Sequence, residues 1–252
     1  MKIETNEQYH SNKRYLSSSG AKLIHKKSVY HFLNQLPFNS ASMQLGTLIH
    51  TAVLEPHKFD DDYYVMPKTD GRTTAGKAAK AEHLILAGSK ELIDTDTLYI
   101  KDKIVENFKA NADAVKYTKG IIEGSFYGEL EGVLVKVRPD CYNKEEGFIS
   151  DPKSCQDNSP RAFTRDVYKY GYHLQAAFYS DMLGVDPKNF IFIAIETKHP
   201  FSVECYSLSE EMIDKGRTDN SDALRQWKNY MDTGIVTSYD GYERNENGII
   251  II

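Results

Sequence analysis

Cysteine is scarce. Cys141, Cys155 and Cys205 are odd in number and widely spaced, with no CxxC pair, so neither a disulfide framework nor a zinc site is indicated. Long apolar runs are missing too, none approaching the roughly 20 residues that span a bilayer. The opening Met1-Lys2-Ile3-Glu4-Thr5 has no apolar signal-peptide core. These absences lead us to expect a cytoplasmic protein with no membrane partner. Internal repeats and low-complexity segments are absent as well. Positive charge is in deficit, with Lys+Arg at 31 against Asp+Glu at 36 and a net charge of −5. That balance argues against a simple nucleic-acid binder, whose phosphate contacts need cations. It leaves open an enzyme that gathers its basic residues in one groove.

What is present is ordinary globular composition, 40% hydrophobic and 27% charged over 252 residues, enough for one decorated α/β domain. Seventeen tyrosines offer rings that could stack on bases or serve as amphipathic packing. Ser17-Ser18-Ser19 before Gly20 reads as a cap opening a helix to about residue 34, broken by Pro37 and Asn39-Ser40. A second helix, about 42–54, carries Leu45, Leu48, Ile49 and Val53 and stops before Pro56. Residues 67–72 read as loop, and 74–88 and 96–115 as helical. The period then changes to two at Val133, Val135 and Val137, the clearest strand. A turn over 143–147 and a returning strand from Phe148 follow. Helices at 160–169 and 171–183, strands at 189–196 and 201–207, and a long helix over 209–231 complete the order. The expected division is a helical part over 15–115, a sheet core over 120–232 and a tail over 233–252, within a single domain spanning 1–252. The fold class is α/β, a central mixed β-sheet flanked by helices.

The carboxylates of the 133–154 region decide the chemistry. Strand parity puts Lys136, Arg138 and Asp140 opposite the valines, and Ile149, Asp151 and Lys153 on one face. If Lys144 to Gly147 form a four-residue loop with Gly147 left-handed, Asn143 pairs with Phe148. Asp140 then lies across from Asp151, with a lysine one step along. Facing like charges destabilise a sheet. A hard divalent cation on oxygen ligands would compensate, polarise a phosphodiester and lower the pKa of bound water, while the ammonium neutralises developing charge. A solvated hairpin with surface acids is the bland alternative. In the helix over 171–183, Gln175 and Tyr179 stand at i and i+4, with Tyr172 and Tyr168 near the same stripe. This is an odd core face, or else a half-exposed one. His50 follows Gly46 by four residues, and Gly46 permits close approach of a backbone or ligand. A lone histidine in an apolar helix is more often a buried, hydrogen-bonded residue than a ligand.

Taken together, Leu45-Gly46-Thr47-Leu48-Ile49-His50 with Leu54-Glu55-Pro56 and Phe59, Val135-Lys136-Val137-Arg138-Pro139-Asp140, Asp151-Pro152-Lys153-Ser154 and Tyr172-His173-Leu174-Gln175-Ala176-Ala177-Phe178-Tyr179-Ser180 resemble, in order, the RecE-type (exonuclease VIII-like) phage recombination exonucleases of the PD-(D/E)xK superfamily. The resemblance spans about residues 15–230. It implies a restriction-endonuclease-like fold and a Mg²⁺- or Mn²⁺-dependent 5′→3′ exonuclease acting on double-stranded DNA ends. His50, Asp140, Asp151 and the Pro152 carbonyl would hold the metal. Lys153 would be the catalytic lysine, with Gln175 and Tyr179 positioning it and the DNA. Ser17, Ser19 and Arg138 are candidates for DNA contact, and Glu131 for an extra acid. It further implies a ring-shaped homo-oligomer (trimer or tetramer) and a single-strand annealing protein as partner. Proline within Asp151-Pro152-Lys153 departs from the small aliphatic residue more usual there. It removes a ladder N–H, so the strand is locally an edge or a bulge.

Two alternatives stand beside this reading. One is a RecB-like nuclease of other polarity or endonucleolytic habit, although three scattered cysteines cannot supply the four ligands of its iron–sulfur branch. The other is a catalytically silent DNA-binding module. Lys22 and Lys26, at i and i+4, could line a DNA path or form a solvated face. The run Ile249-Ile250-Ile251-Ile252 is β-prone, and we expect it to pair with a sheet edge in the same or a neighbouring subunit.

Overall fold

The computed structural model describes residues 1–36, 40–239 and 242–251. Pro37 and Asn39, expected helix breakers, and Ile252 of the isoleucine run lie outside the described residues. The N-terminal half is mainly helical: α1 (Asn6–Ser11), a short β1 (Leu16–Ser17), α2 (Ser18–Lys26), α3 (Val29–Leu33), α4 (Ala41–Leu54) and α5 (Phe59–Asp62). A parallel ribbon of β2 (Tyr63–Met66) and β3 (Glu91–Asp94) flanks α6 (Thr74–Ala87), and α7 (Thr95–Ala110) and α8 (Ala112–Lys116) follow. That ribbon was not expected from the sequence, because its four-residue strands carry no clear alternation.

The sheet region holds β4 (Ile121–Ile122), β5 (Phe126–Leu130), β6 (Val133–Val137), β7 (Cys141–Asn143) and β8 (Phe148–Cys155). Then come α9 (Pro160–Tyr170), α10 (Tyr172–Leu183), β9 (Phe190–Glu196), β10 (Val203–Tyr206) and α11 (Glu210–Thr233). Five strands form a mixed sheet in the order β10-β9-β8-β7-β4, and β1, β6 and β5 form a second sheet. The expected mixed sheet flanked by helices is present, but the 133–154 hairpin is split. Val133–Val137 pairs with β5 and β1, and only Cys141–Asn143 pairs with β8. The chain leaves one sheet and enters the other through Arg138-Pro139-Asp140, since proline cannot extend a ladder.

β9 sits inside the five-stranded sheet and is apolar almost throughout. Phe190, Phe192 and Ala194 pack with Ile149, Phe163, Val167 and Ala177 on one face. Ile191, Ile193 and Ile195 pack with Leu48, Ile49, Ile104 and Phe108 on the other. A strand covered on both faces reads as a continuous hydrophobic run rather than an alternation. Fully burying each Phe or Ile of this strand stabilises the fold by about 1.5–3 kcal/mol. The valine face of β6 closes a third cluster with Leu16, Ile24, Phe178, Leu224 and Trp227. α10 touches two of these clusters, which explains why it is apolar on nearly every side. Its approach to α11 is close enough that a Cβ at Gly216 would stand 2.3 Å from the His173 carbonyl oxygen.

The isoleucine tail does not join a sheet edge among the described residues. Ile250 forms an isolated antiparallel bridge with Arg244, and Ile249 and Ile251 remain exposed. No helix among the described residues is long and apolar enough to cross a membrane.

Candidate metal centre and nucleic-acid cleft

The site forms where β7, β8, α4 and α10 converge. β7 and β8 pair with Asn143 opposite Phe148, Tyr142 opposite Ile149 and Cys141 opposite Ser150. Gly147 takes a left-handed φ of 69°, so the four-residue loop sets the register read from the sequence. One step further, Asp140 faces Asp151, and their carboxyl groups are close enough to share a proton. β7 stops there, so Asp151, Pro152 and Lys153 have a paired neighbour only on the β9 side. Pro152 therefore lies on a local edge, where its missing N–H costs no ladder bond.

α4 reaches the same point because Gly46 lies against β8, where an added Cβ would be 3.2 Å from Ser154 Oγ. One turn on, His50 Nε2 is 3.2 Å from Asp140 Oδ2 and 3.5 Å from Glu123 Oε1. Nitrogen and oxygen ligand atoms of His50, Glu123 and Asp140 all lie within 4.8 Å of one another. Glu123 was missed by the sequence reading, which offered Glu131 as the extra acid. Glu131 occupies the β5–β6 turn, at the opposite end of β6 from Arg138, and accepts a bond from Ser221. Glu123 follows the two-residue strand β4 with φ 55°, and its N–H donates to the Asp140 carbonyl. Its only sequence signal is an acid after Ile121-Ile122 and before Gly124.

α10 supplies the wall behind the carboxylates. Gln175 Nε2 donates to Asp151 Oδ2 at 2.5 Å, and the Tyr179 hydroxyl donates to the Arg138 carbonyl at 3.3 Å. Tyr172 lies beneath Lys153, whose Nζ is 5.0 Å from the ring centroid. Tyr168 does not share this stripe. Gly171 turns left-handed between α9 and α10, and Tyr168 packs instead on the His173 ring. Arg138 is committed to protein, donating from Nε to Glu123 at 2.5 Å and from Nη1 to the Glu4 carbonyl. It positions Glu123 rather than presenting a free cation.

The electrostatics follow from this crowding. Burial and the neighbouring Asp140 push the Asp151 carboxyl up to about 7. Burial would also raise Asp140, but His50 and Lys153 hold it below the ordinary carboxylate value. Burial would lower His50, yet the carboxylates around it, Asp140 foremost, raise it to about 9. Lys153 is likewise lowered by burial and more than restored by Asp151 and Asp140, so it stays an ammonium. Its Nζ lies 2.7 Å from Asp151 Oδ1, yet that buried oxygen has no hydrogen bond of good geometry. A buried carboxylate oxygen whose one close partner is the Lys153 ammonium, beside two further acids and an imidazole, belongs to a donor set that fits a hard divalent cation. His50, Glu123, Asp140 and Asp151 are the side chains that would hold it, and Pro152 and Lys153 line the same cleft.

The other wall is the start of α2. Ser17 caps the helix by accepting from the Gly20 N–H, and its Oγ is 3.0 Å from Ser19 Oγ. Ser17, Ser18, Ser19 and Lys22 line a cleft with Asp140, Gln175 and Tyr179. The Ser18 hydroxyl is buried there without a partner. Burial, assisted by Lys153, lowers the Lys22 ammonium to about 8. Lys26 is engaged elsewhere, donating to the Tyr168 and Lys169 carbonyls at the end of α9. The structure therefore brings His50, Arg138, Asp140, Asp151, Pro152, Lys153, Gln175, Tyr179, Ser17 and Ser19 to one cleft, Arg138 through its bond to Glu123, and leaves Glu131 outside it.

Solved structures with a similar fold are known. A Eubacterium rectale protein given the provisional name of exonuclease aligns over 96% of this chain and 91% of its own, with a TM-score of 0.62 and 13% identity. A phage-related exonuclease from Haemophilus somnus 129PT aligns over 88% of this chain and 96% of its own at 15% identity, with a TM-score of 0.38. At such identities the first likeness concerns the fold alone, and the second is too loose to carry an argument. No curated protein matches the sequence. Residues 17–239 match the family described as PDDEXK-like domain of unknown function (DUF3799), whose name echoes Pro139-Asp140 and Asp151-Pro152-Lys153 of this site, and the chain belongs to that family.

Proposed function

We propose that the chain is a metal-dependent deoxyribonuclease that degrades one strand of duplex DNA from a 5′ end, with Mg²⁺ or Mn²⁺ as cofactor. The observation that carries this reading is the convergence of His50, Glu123, Asp140 and Asp151 beside Lys153, facing a hydroxyl-rich helix start. When bound, a divalent cation would polarise the scissile phosphodiester and lower the pKa of an attacking water. The chain's own groups do the rest. Gln175 fixes the Asp151 carboxylate in one orientation, turning its second oxygen toward Lys153 and the site. The Lys153 ammonium, kept charged by its acids, stands where negative charge grows on the phosphate. Ser17 and Ser19 at the N-terminus of α2, with Lys22, offer donors and positive charge to a backbone phosphate.

The 5′→3′ polarity, a homo-oligomeric ring of three or four subunits, and a single-strand annealing partner belong to this proposal through the resemblance to RecE-type exonucleases. So does action in the cytoplasm during phage-type recombination. The decisive experiment is digestion of linear duplex DNA with 5′-phosphate or 5′-hydroxyl ends, alongside covalently closed circles. It is run with Mg²⁺, with EDTA, and with Asp151→Ala. Loss of the linear 5′-phosphorylated substrate alone, abolished by EDTA and by the variant, supports the reading. Cutting of closed circles would point to an endonuclease, and DNA binding without any digestion to a catalytically silent module.

A further inference from the structure

Beyond Ser17 and Ser19 the cleft continues into a second hollow of ≈ 450 Å³ that the hydrolytic reading does not use. It shares His10, Ser17 and Ser19 with the metal-side cleft, so the two are joined along the start of α2. Its far wall is aromatic and apolar: Tyr15, Phe32, Leu33 and Trp227. Phe32 meets Trp227 edge to face at 5.2 Å, and Tyr15 is held the same way by Tyr127 at 4.8 Å. Its polar lining is basic or neutral, with Lys13 and Lys136 and no carboxylate among the described residues. Lys136 is occupied by the Tyr9 and Asn12 carbonyls, whereas Lys13 is exposed and has no ion pair among the described residues. In a chain of net charge −5, an acid-free hollow is a local departure that favours an anionic ligand.

We propose that this hollow binds one nucleotide unit of the strand under attack, unstacked from the duplex. Its phosphate would lie toward Lys13 and His10, and its base against Phe32, Leu33 and the edge of Trp227. The exposed Gln35 amide stands at the rim, where it can meet a base edge. The assignment rests on the nuclease reading above and deepens it. An aromatic wall accepts any base, since every base has a π-face, while cations hold the backbone. The hollow is also within the size range of small-molecule sites. A peptide side chain would use the apolar wall but would gain nothing from the absence of acids.

Trp227 is the chain's single tryptophan, so its emission reports on this hollow without a label. The test titrates the full chain in EDTA with a 5′-phosphorylated tetradeoxynucleotide and, separately, with deoxythymidine 5′-monophosphate. We expect a saturable change in emission with the oligonucleotide. It should weaken roughly tenfold or more in Lys13→Glu and in Leu33→Asp, in line with the loss of one stacked base. Both positions are exposed, so neither variant threatens folding. Phe32→Ala is avoided because it would disturb Trp227 directly. A response to the mononucleotide as well would show that a released product can occupy the hollow, whereas response to the oligonucleotide alone would show that strand context is needed. Either supports the assignment. Wild-type protein that degrades linear DNA while emission stays unchanged, or changes equally in both variants, would overturn it. Protein that neither binds nor cuts DNA under any condition would instead overturn the nuclease reading on which it rests.

Discussion

Replacing Asp151 by asparagine should flatten the pH dependence of stability in metal-free protein. In the folded state the Asp151 carboxyl is raised to about 7 by burial and by Asp140, against roughly 3.9 in an unfolded chain. The folded protein thus binds the proton more tightly, and the stability that this contributes is present at low pH and is lost as pH rises through 7. From pH 5 to 8 the loss covers about two units, or about 3 kcal/mol at 1.36 kcal/mol per unit. For a chain of this size that corresponds to about 6–12 °C in Tm. Asp140, held low, changes its contribution only below the ordinary carboxylate range, and Lys153, held high, only above the ordinary lysine range, so neither interferes in this window. His50, raised to about 9, also loses stabilisation as pH rises, but Asp140 and Glu123 raise it more than Asp151 does, so most of that loss is common to both proteins. The assay is denaturant unfolding in EDTA from pH 5 to 8 for wild type and Asp151→Asn. The wild-type curve should fall relative to the variant by about 3 kcal/mol, and saturating Mg²⁺ or Mn²⁺ at pH 8 should restore wild type more than the variant. Parallel curves would refute the buried, proton-sharing pair.

The remaining predictions concern chemistry, packing and the tail. Lys153→Ala should lower the rate of DNA cleavage by about two orders of magnitude or more while leaving DNA binding measurable, as removal of a preorganised charge does; unchanged turnover would remove Lys153 from the reaction. Gly216→Ala should destabilise the fold by about 1–3 kcal/mol, the cost of overpacking, because its Cβ would meet the His173 carbonyl at 2.3 Å. Thermal melting reads this, and an unchanged Tm would show that α10 and α11 can separate freely. Truncation before Ile249 should change oligomer size or solubility, measured by light scattering, since Ile249 and Ile251 are exposed apolar side chains. Identical behaviour would mean that the tail has no partner.

Much of the fold and half of the site were legible locally. Helix ends were marked by the Ser17–Ser19 cap and by Pro56, and the turn and returning strand after Asn143 by a four-residue loop and a glycine able to take positive φ. That register alone set Asp140 against Asp151 and Lys153 beside them, because alternation in a strand leaves no choice of face. The Gly46–His50 spacing likewise put a histidine one turn from a point of close approach. The rest was decided by long-range packing. Which sheet Val133–Val137 joins, the pairing of β2 with β3, and the separation of Tyr168 from the α10 stripe depend on partners far along the chain. Glu123 enters the site through a two-residue strand and a left-handed φ, which leave no periodic trace, whereas Glu131 looked equally suitable in sequence and was carried to the far end of β6. The sequence by itself determined the paired carboxylates and their lysine, since these depend on a single tight turn. Only the tertiary structure could choose the third acid, commit Arg138 to holding it, and open the aromatic hollow beyond Ser19, because each is made by segments that meet only when the core closes.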